Sequence, residues 1–145
     1  MDQFNSSVVL RWADLDPNGH VRHSVYYDFG AACRMQFLDA LGITLGFMQS
    51  NHFGAIIFRE ECVFKRELLL GDTVTIDARL LKARRDGSRW TMQHHIFKNH
   101  EIPAAIITLD GAWLDTGKRK LAVPPALVAA SFEDAPKAEA FSWHD

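Results

Sequence analysis

Residues 11–42 read RWADLDPNGHVRHSVYYDFGAACRMQFLDALG. The second half predicts a long helix over Ser24–Leu41, with Ser24 at the N-cap, Asp28 in the first turn where it complements the dipole, and Gly42 as the stop. At 100° per residue Asp28, Gln36 and Asp39 share one narrow stripe, and Arg34 is the strongly polar residue off it. Tyr26, Phe29, Cys33, Phe37, Leu38 and Leu41 cover most of the rest, which predicts a largely buried helix. The small run Gly30-Ala31-Ala32 would let another backbone come close.

Outward from this helix the chain turns to period two. Val74, Ile76, Ala78 and Leu80 alternate with polar neighbours, as do Trp90, Met92, His94 and Ile96. Asp86-Gly87 between them predicts a type I′ hairpin, whose two central positions need positive φ. Phe53–Glu67 and Ala104–Asp115 read as two more long strands and Val8–Asp14 as a shorter one. One buried helix followed by an antiparallel meander is an α+β arrangement in which the sheet wraps the helix. After Pro124-Pro125, residues 124–131 predict a short helix with its prolines at the start. Residues 132–145 read as a weakly ordered tail, so the domain proper spans 1–123 and the appendage 124–145.

The 145 residues make one domain, 48% hydrophobic and 23% charged, which excludes a disordered chain. Sixteen Lys and Arg against 18 Asp and Glu give a net charge of −2, which argues against bulk attraction to nucleic acid. Cys33 and Cys62 lack metal or redox spacing and read as reduced core residues. The N-terminus has no charged region leading into an apolar one, and no apolar run approaches the ~20 residues of a membrane span. These features predict a soluble, cytoplasmic protein with neither a nucleic-acid nor a membrane partner.

Chemistry concentrates in residues 11–29. Asp14 and Asp16 flank the end of a strand, Pro17-Asn18-Gly19 is turn chemistry, and His20 and His23 precede the helix. A carboxylate on a loop facing the free N–H groups of a helix head can attack a carbonyl or activate water while those groups hold the oxyanion. Three plainer readings stand beside it. Asp16 binds only its own turn, His20 and His23 are a solvated pair, or Asp14, Asp16, His20 and His23 hold a metal, against which their spacing argues.

The run from Arg11 to Tyr27 resembles the signature of the 4-hydroxybenzoyl-CoA thioesterase-like family of hotdog-fold acyl-CoA thioesterases: Asp-x-Asp, a Gly-containing turn, a hydrophobic residue and a Tyr-bearing helix start. The dense match covers about residues 11–34, and a weaker one extends to Leu121. The resemblance implies a hotdog fold, a long central helix wrapped by a five- or six-stranded antiparallel sheet, in a homodimer or homotetramer with active sites between subunits. It implies an acyl-CoA thioester hydrolase with Asp16 as catalytic carboxylate and His23 at the position whose backbone N–H polarises the thioester carbonyl. His20 would shape the site. Trp12 stands where bacterial short-chain members carry Tyr, so substrate preference does not carry over. CoA is then part of the substrate, with no separate cofactor and no metal.

Lys82, Arg84, Arg85 and Arg89 surround the predicted hairpin with Ser88. A charged turn is ordinarily just solvated. In the resembling family the matching hairpin lies near the nucleotide of CoA, whose phosphates need cations, so Arg84, Arg85 and Ser88 are candidate CoA contacts. His94 reads as a core histidine. Glu60 and Glu61 carry no selecting signal, and Phe47, Phe53 and Phe58 are acyl-pocket walls or core. Two other functions fit such a domain: a hydratase or dehydratase of acyl thioesters, and a non-catalytic acyl-CoA-binding or regulatory module with no need of an aspartate at position 16.

Overall fold

A computed structural model describes residues 1–144. The elements, in chain order, are β1 (Asn5–Val8), a 3₁₀ turn (Trp12–Asp14), α1 (Val25–Ala40), α2 (Leu45–Ser50), β2 (Phe53–Phe64), β3 (Val74–Asp77), β4 (Arg79–Ala83), β5 (Arg89–Lys98), β6 (Ile102–Asp115), β7 (Lys120–Leu121), α3 (Ala126–Asp134) and β8 (Lys137–Trp143). The strands form one eight-stranded sheet in which β2 pairs β6, β6 pairs β5, and β5 pairs both β3 and β4. β1 adds to β3 and β7 to β6, antiparallel, whereas β8 lies parallel to β4. This is the expected α+β hotdog arrangement, with more strands than the sequence suggested.

α1 ends where Gly42 predicts. Gly42 takes φ +86, its N–H donates to the Asp39 carbonyl (3.0 Å), and that of Ile43 to the Leu38 carbonyl (2.9 Å). That is a Schellman motif, closed by burying Ile43 and Leu38 together. At the other end Ser24 occupies the N-cap but caps nothing; its Oγ accepts from Arg22 Nε at 3.2 Å. The expectation of a largely buried helix is corrected. Tyr26, Phe29, Gly30, Cys33 and Phe37 face the sheet, while Ala31, Ala32 and Met35 widen the polar stripe into an exposed face. Gly30 sits close enough that a Cβ would lie 3.2 Å from Ile107 and 3.4 Å from His94, so the small residue serves the helix–sheet approach.

Other boundaries move for local reasons. The strand expected over Val8–Asp14 stops at Val8, because Asp14 accepts from the Arg11 N–H (3.0 Å) and guanidinium (2.8 Å) and closes a turn. The strand through residues 74–80 breaks at Ala78, whose N–H turns to the Phe4 carbonyl at 3.2 Å. The hairpin is not type I′. The Gly87 N–H closes on the Arg84 carbonyl at 2.9 Å, so Arg85 and Asp86 are the central residues and only Gly87 has positive φ, +78. A four-residue loop built on a type I turn results.

The weakly ordered tail is the largest correction. Phe132 and Val128 of α3 are fully buried, and β8 pairs Leu80, Lys82 and Ala83 with Lys137, Ser142 and Trp143. Its sequence KAEAFSW is short and lacks a sustained alternation, but the vacant edge of β4 supplies backbone partners that no local pattern announces.

Candidate active site

The turn after Asp14 is held by backbone bonds. The Asp16 N–H donates to the His20 carbonyl (2.7 Å), the Gly19 N–H to the Asp16 carbonyl (3.0 Å), and the Val21 N–H to the Leu68 carbonyl (2.8 Å). Gly19 takes φ +81, a conformation that glycine adopts without cost. The two aspartates diverge here. Asp14 is 1% exposed and paired to Arg11, whose hydrogen bond holds its carboxyl below the usual carboxylate range. Asp16 is half-buried; Oδ1 accepts from the N–H groups of Asn18 (2.9 Å) and His20 (3.1 Å), and Oδ2 has no hydrogen-bond partner among the described residues. One oxygen fixes the side chain and the other is left over.

Asp16 opens on a pocket of about 330 Å³ shared with His20, His23, Tyr26, Phe64 and Arg66. His23 is exposed at the head of α1, and the N-cap residue Ser24 makes no side-chain capping bond there. Among the described residues no acceptor takes the backbone N–H of His23 or Ser24. The site therefore brings Asp16 together with free N–H donors on the positive end of a sixteen-residue helix. His20 Nε2 lies 3.1 Å from Glu67 Oε2, which places it as a bracing residue beside the pocket. Tyr26 packs edge-on against Phe64 with ring centroids 4.9 Å apart, and burial pushes its hydroxyl above the usual tyrosine range. Lys65 and Arg66 also line the pocket. They escaped sequence reading because the charge run Lys65-Arg66-Glu67 looks like any solvated strand end until the fold carries it over the helix head.

The basic hairpin lies elsewhere. Arg84 lines a groove of about 380 Å³ with Lys82, Arg89, Phe58 and His144, and Arg89 lies over the Phe58 ring at 4.9 Å. Arg85 and Ser88 do not join that lining. Arg85 stacks on Trp143 at 5.0 Å and reaches Glu133 at 3.9 Å, while the Ser88 hydroxyl is buried without a partner. His94 is fully buried as expected; burial lowers its pKa to about 4, so the ring is neutral at pH 7. Cys33 and Cys62 are free thiols pushed up to about 12 and about 11 by burial, too high for nucleophilic work. Among the described residues no group of His, Cys, Asp and Glu is arranged to hold a metal ion, and no helix is long and apolar enough to cross a membrane.

This sheet around a central helix, with a loop carboxylate at the helix head, defines a hotdog-fold protein. The family model of the thioesterase-like superfamily matches residues 10–132, and the chain belongs to that superfamily. It is accordingly an acyl-CoA thioester hydrolase. No curated protein sequence matches it. Among solved structures it is similar to a hypothetical protein of Staphylococcus aureus in complex with CoA, at 15% identity over 99% of this chain and 90% of that one, TM-score 0.86. It is also similar to a 1,4-dihydroxy-2-naphthoyl-CoA thioesterase from Synechocystis, at 16% identity over 91% and 96%, TM-score 0.80. A thioesterase of Thermus thermophilus complexed with coenzyme A and zinc is 27% identical over 86% and 93%, TM-score 0.70.

Proposed function

We propose that the chain hydrolyses a small acyl- or aryl-CoA thioester with Asp16 as the reacting carboxylate and the backbone N–H of His23 in the oxyanion hole. The observation that carries this reading is the partnerless Asp16 Oδ2 in the same pocket as the uncapped head of α1. In one route Oδ2 bonds to the carbonyl carbon, the C–S bond breaks, CoA leaves as thiolate, and water cleaves the mixed anhydride. In the other Oδ2 takes a proton from water as the water oxygen bonds to the carbonyl, and the proton passes to the departing sulfur. Both put negative charge on the carbonyl oxygen, where each preorganised donor is worth ~3 kcal/mol in comparable sites. Direct attack is the route favoured slightly here. A single turnover in heavy-oxygen water discriminates: label in Asp16 means attack, and label only in the product acid means activated water.

Arg84, with Lys82 and Arg89, is the set proposed for the CoA phosphates. The engaged side chain of Arg85 and the sealed hydroxyl of Ser88 support a holding role in place of the contact expected of them. A homodimer completes the reading. β2 is twelve residues long and among the described residues pairs only β6, and Ile57 (41% exposed), Phe58, Val63 and Phe64 (48%) lie open along it. Such an edge calls for a second copy paired antiparallel about a two-fold axis. Light scattering at micromolar protein should give at least twice the chain mass, and Ile57→Glu with Val63→Glu should weaken assembly about tenfold or more. A monomeric wild type would sink the dimer.

A further inference from the structure

Halfway along α1, away from Asp16, a polar cluster is built into the seam between helix and sheet. His94 Nδ1 lies 2.8 Å from the Asp77 carbonyl oxygen, which can only accept, so Nδ1 carries the ring proton. Nε2 of that neutral ring then accepts from Arg34 Nη1 at 3.2 Å, and the same Nη1 lies 3.5 Å from Glu60 Oε2. Both Nη1 hydrogens are thereby used. Among the described residues Arg34 Nε and Nη2 make no hydrogen bond, although the side chain is only 11% exposed. The Nε–Nη2 edge is the one that meets a carboxylate through two parallel bonds.

Arg34 is one wall of a cavity of about 200 Å³, with Met35, Ala55, Ile57, Trp90 and Trp113 among the others. Every other residue of that wall is apolar or aromatic. Trp90 adds a second idle donor, since its Nε1 is buried with no hydrogen-bond partner. The ring is held firmly, because a Cβ on Gly111 would collide with it. An apolar chamber bordered by an unpartnered guanidinium edge and a buried unpaired indole N–H suits a ligand with an apolar body and an acceptor at its end.

We propose that this cavity receives the far end of the acyl group and that Arg34 selects acyl groups ending in a carboxylate. The inference rests on the hydrolase reading and on the β2-paired dimer. At ~1.5 Å per residue, Arg34 is about 14 Å from the head of its own α1. Antiparallel pairing of two β2 edges carries the Ala55–Ile57 end of one copy toward the Phe64 end of the other, and so toward the other copy's Asp16 pocket. Arg34 is a specificity-determining residue here and takes no part in the chemistry.

The test compares hydrolysis of ω-carboxyacyl-CoAs of four to eight carbons with methyl-terminated acyl-CoAs of equal length. Wild type should favour the carboxylated partner of the best-fitting pair by about tenfold or more in kcat/KM. Arg34→Met should bring that ratio to about one. Arg34→Lys keeps a cation for Glu60 but lacks the fork, so it should lose most of the preference while remaining folded by circular dichroism. A wild type without preference, or a preference that survives both substitutions, overturns the inference. Calorimetry with non-hydrolysable carboxyalkyl-CoA thioethers separates the two levels. Arg34-dependent binding without hydrolysis of any thioester would sustain the cavity assignment and sink the hydrolase reading. Asp16-dependent hydrolysis indifferent to the acyl terminus would do the reverse.

Discussion

The head of α1 and the tip of the Arg84–Arg89 hairpin are both short polar loops rich in charge, yet they use it in opposite ways. At the helix head one oxygen of Asp16 is tied by two backbone N–H groups, the other has no partner among the described residues, and the residue lines a pocket. At the hairpin tip the groups turn inward. The Gly87 carbonyl accepts from Trp113 Nε1 at 2.8 Å, a Cβ there would lie 3.1 Å from Val128, and Arg85 packs on Trp143. The first loop is held by its backbone and one carboxylate oxygen, which leaves the other oxygen free; the second is closed by backbone bonds too, but its Arg85 side chain is also engaged by α3 and β8. Charge density in a loop therefore says little about availability, which depends on what the backbone has already satisfied.

The sharpest way to break this contrast is at Asp16. Asp16→Asn and Asp16→Ala should each lower kcat by at least ~100-fold with modest change in thioester binding, read by steady-state kinetics on a panel of acyl- and aryl-CoAs. Asp14→Asn should do far less to kcat and should instead cost about 1–2 kcal/mol of stability, because a buried acceptor of Arg11 is weakened. Wild-type rates in both Asp16 variants would mean the free oxygen is idle and the two loops are alike.

A buried neutral group gives the next effect. His94 titrates at about 4 in the fold because burial disfavours its charge, against about 6.5 when unfolded. Between these values the unfolded chain binds the extra proton, so stability is nearly full above about pH 7 and falls as pH drops toward 4, by about 2.5 kcal/mol at pH 4.5. His95, lowered by burial too, acts in the same direction. Urea midpoints at pH 7.5, 6 and 4.5 should show the loss, and His94→Gln should flatten the slope.

The hairpin sharpens the comparison more gently. Arg84→Ala with Arg89→Ala should raise KM for acyl-CoA about tenfold with little change in kcat, since such contacts serve ground and transition states alike. A pantetheine thioester lacking the nucleotide should not register the change. Arg85→Ala should leave KM nearly alone and cost about 0.5–1 kcal/mol through its lost contact with Trp143. An equal KM rise in the Arg85 variant would show that this side chain is free after all.

Much of this was legible in residue order. Gly42 announces the Schellman stop and alternation marks β3, β4 and β5, because each rests on interactions within a few residues; the Asp-x-Asp, Gly-His and helix-start run points to the pocket through its family resemblance. Lys65 and Arg66 were not legible as pocket residues, nor was the exposed half of α1, since both depend on which surfaces the sheet covers. The hairpin was mistaken for a type I′ turn because Asp-Gly fits either geometry; the loop length was set by register with β5, where the Arg84 N–H meets the Arg89 carbonyl at 2.9 Å.

Local chemistry, then, was enough for the α+β class and the helix limits, since propensity, capping and turn preferences are satisfied by near neighbours, whereas the choice of Asp16 over a plain surface turn came from the family resemblance. Three things arose only when distant segments met. One is the order of the C-terminal residues, whose backbone groups found partners on the open edge of β4. Another is the engagement of Arg85 by Trp143 of β8 and Glu133 of α3, away from the groove. The third is the meeting of Arg34, Glu60 and His94 from α1, β2 and β5, the last two standing 26 and 60 residues from Arg34 along the chain. Burial and pairing are properties of surfaces brought together, and the cost of an unsatisfied polar group appears only when the solvent has been removed from it.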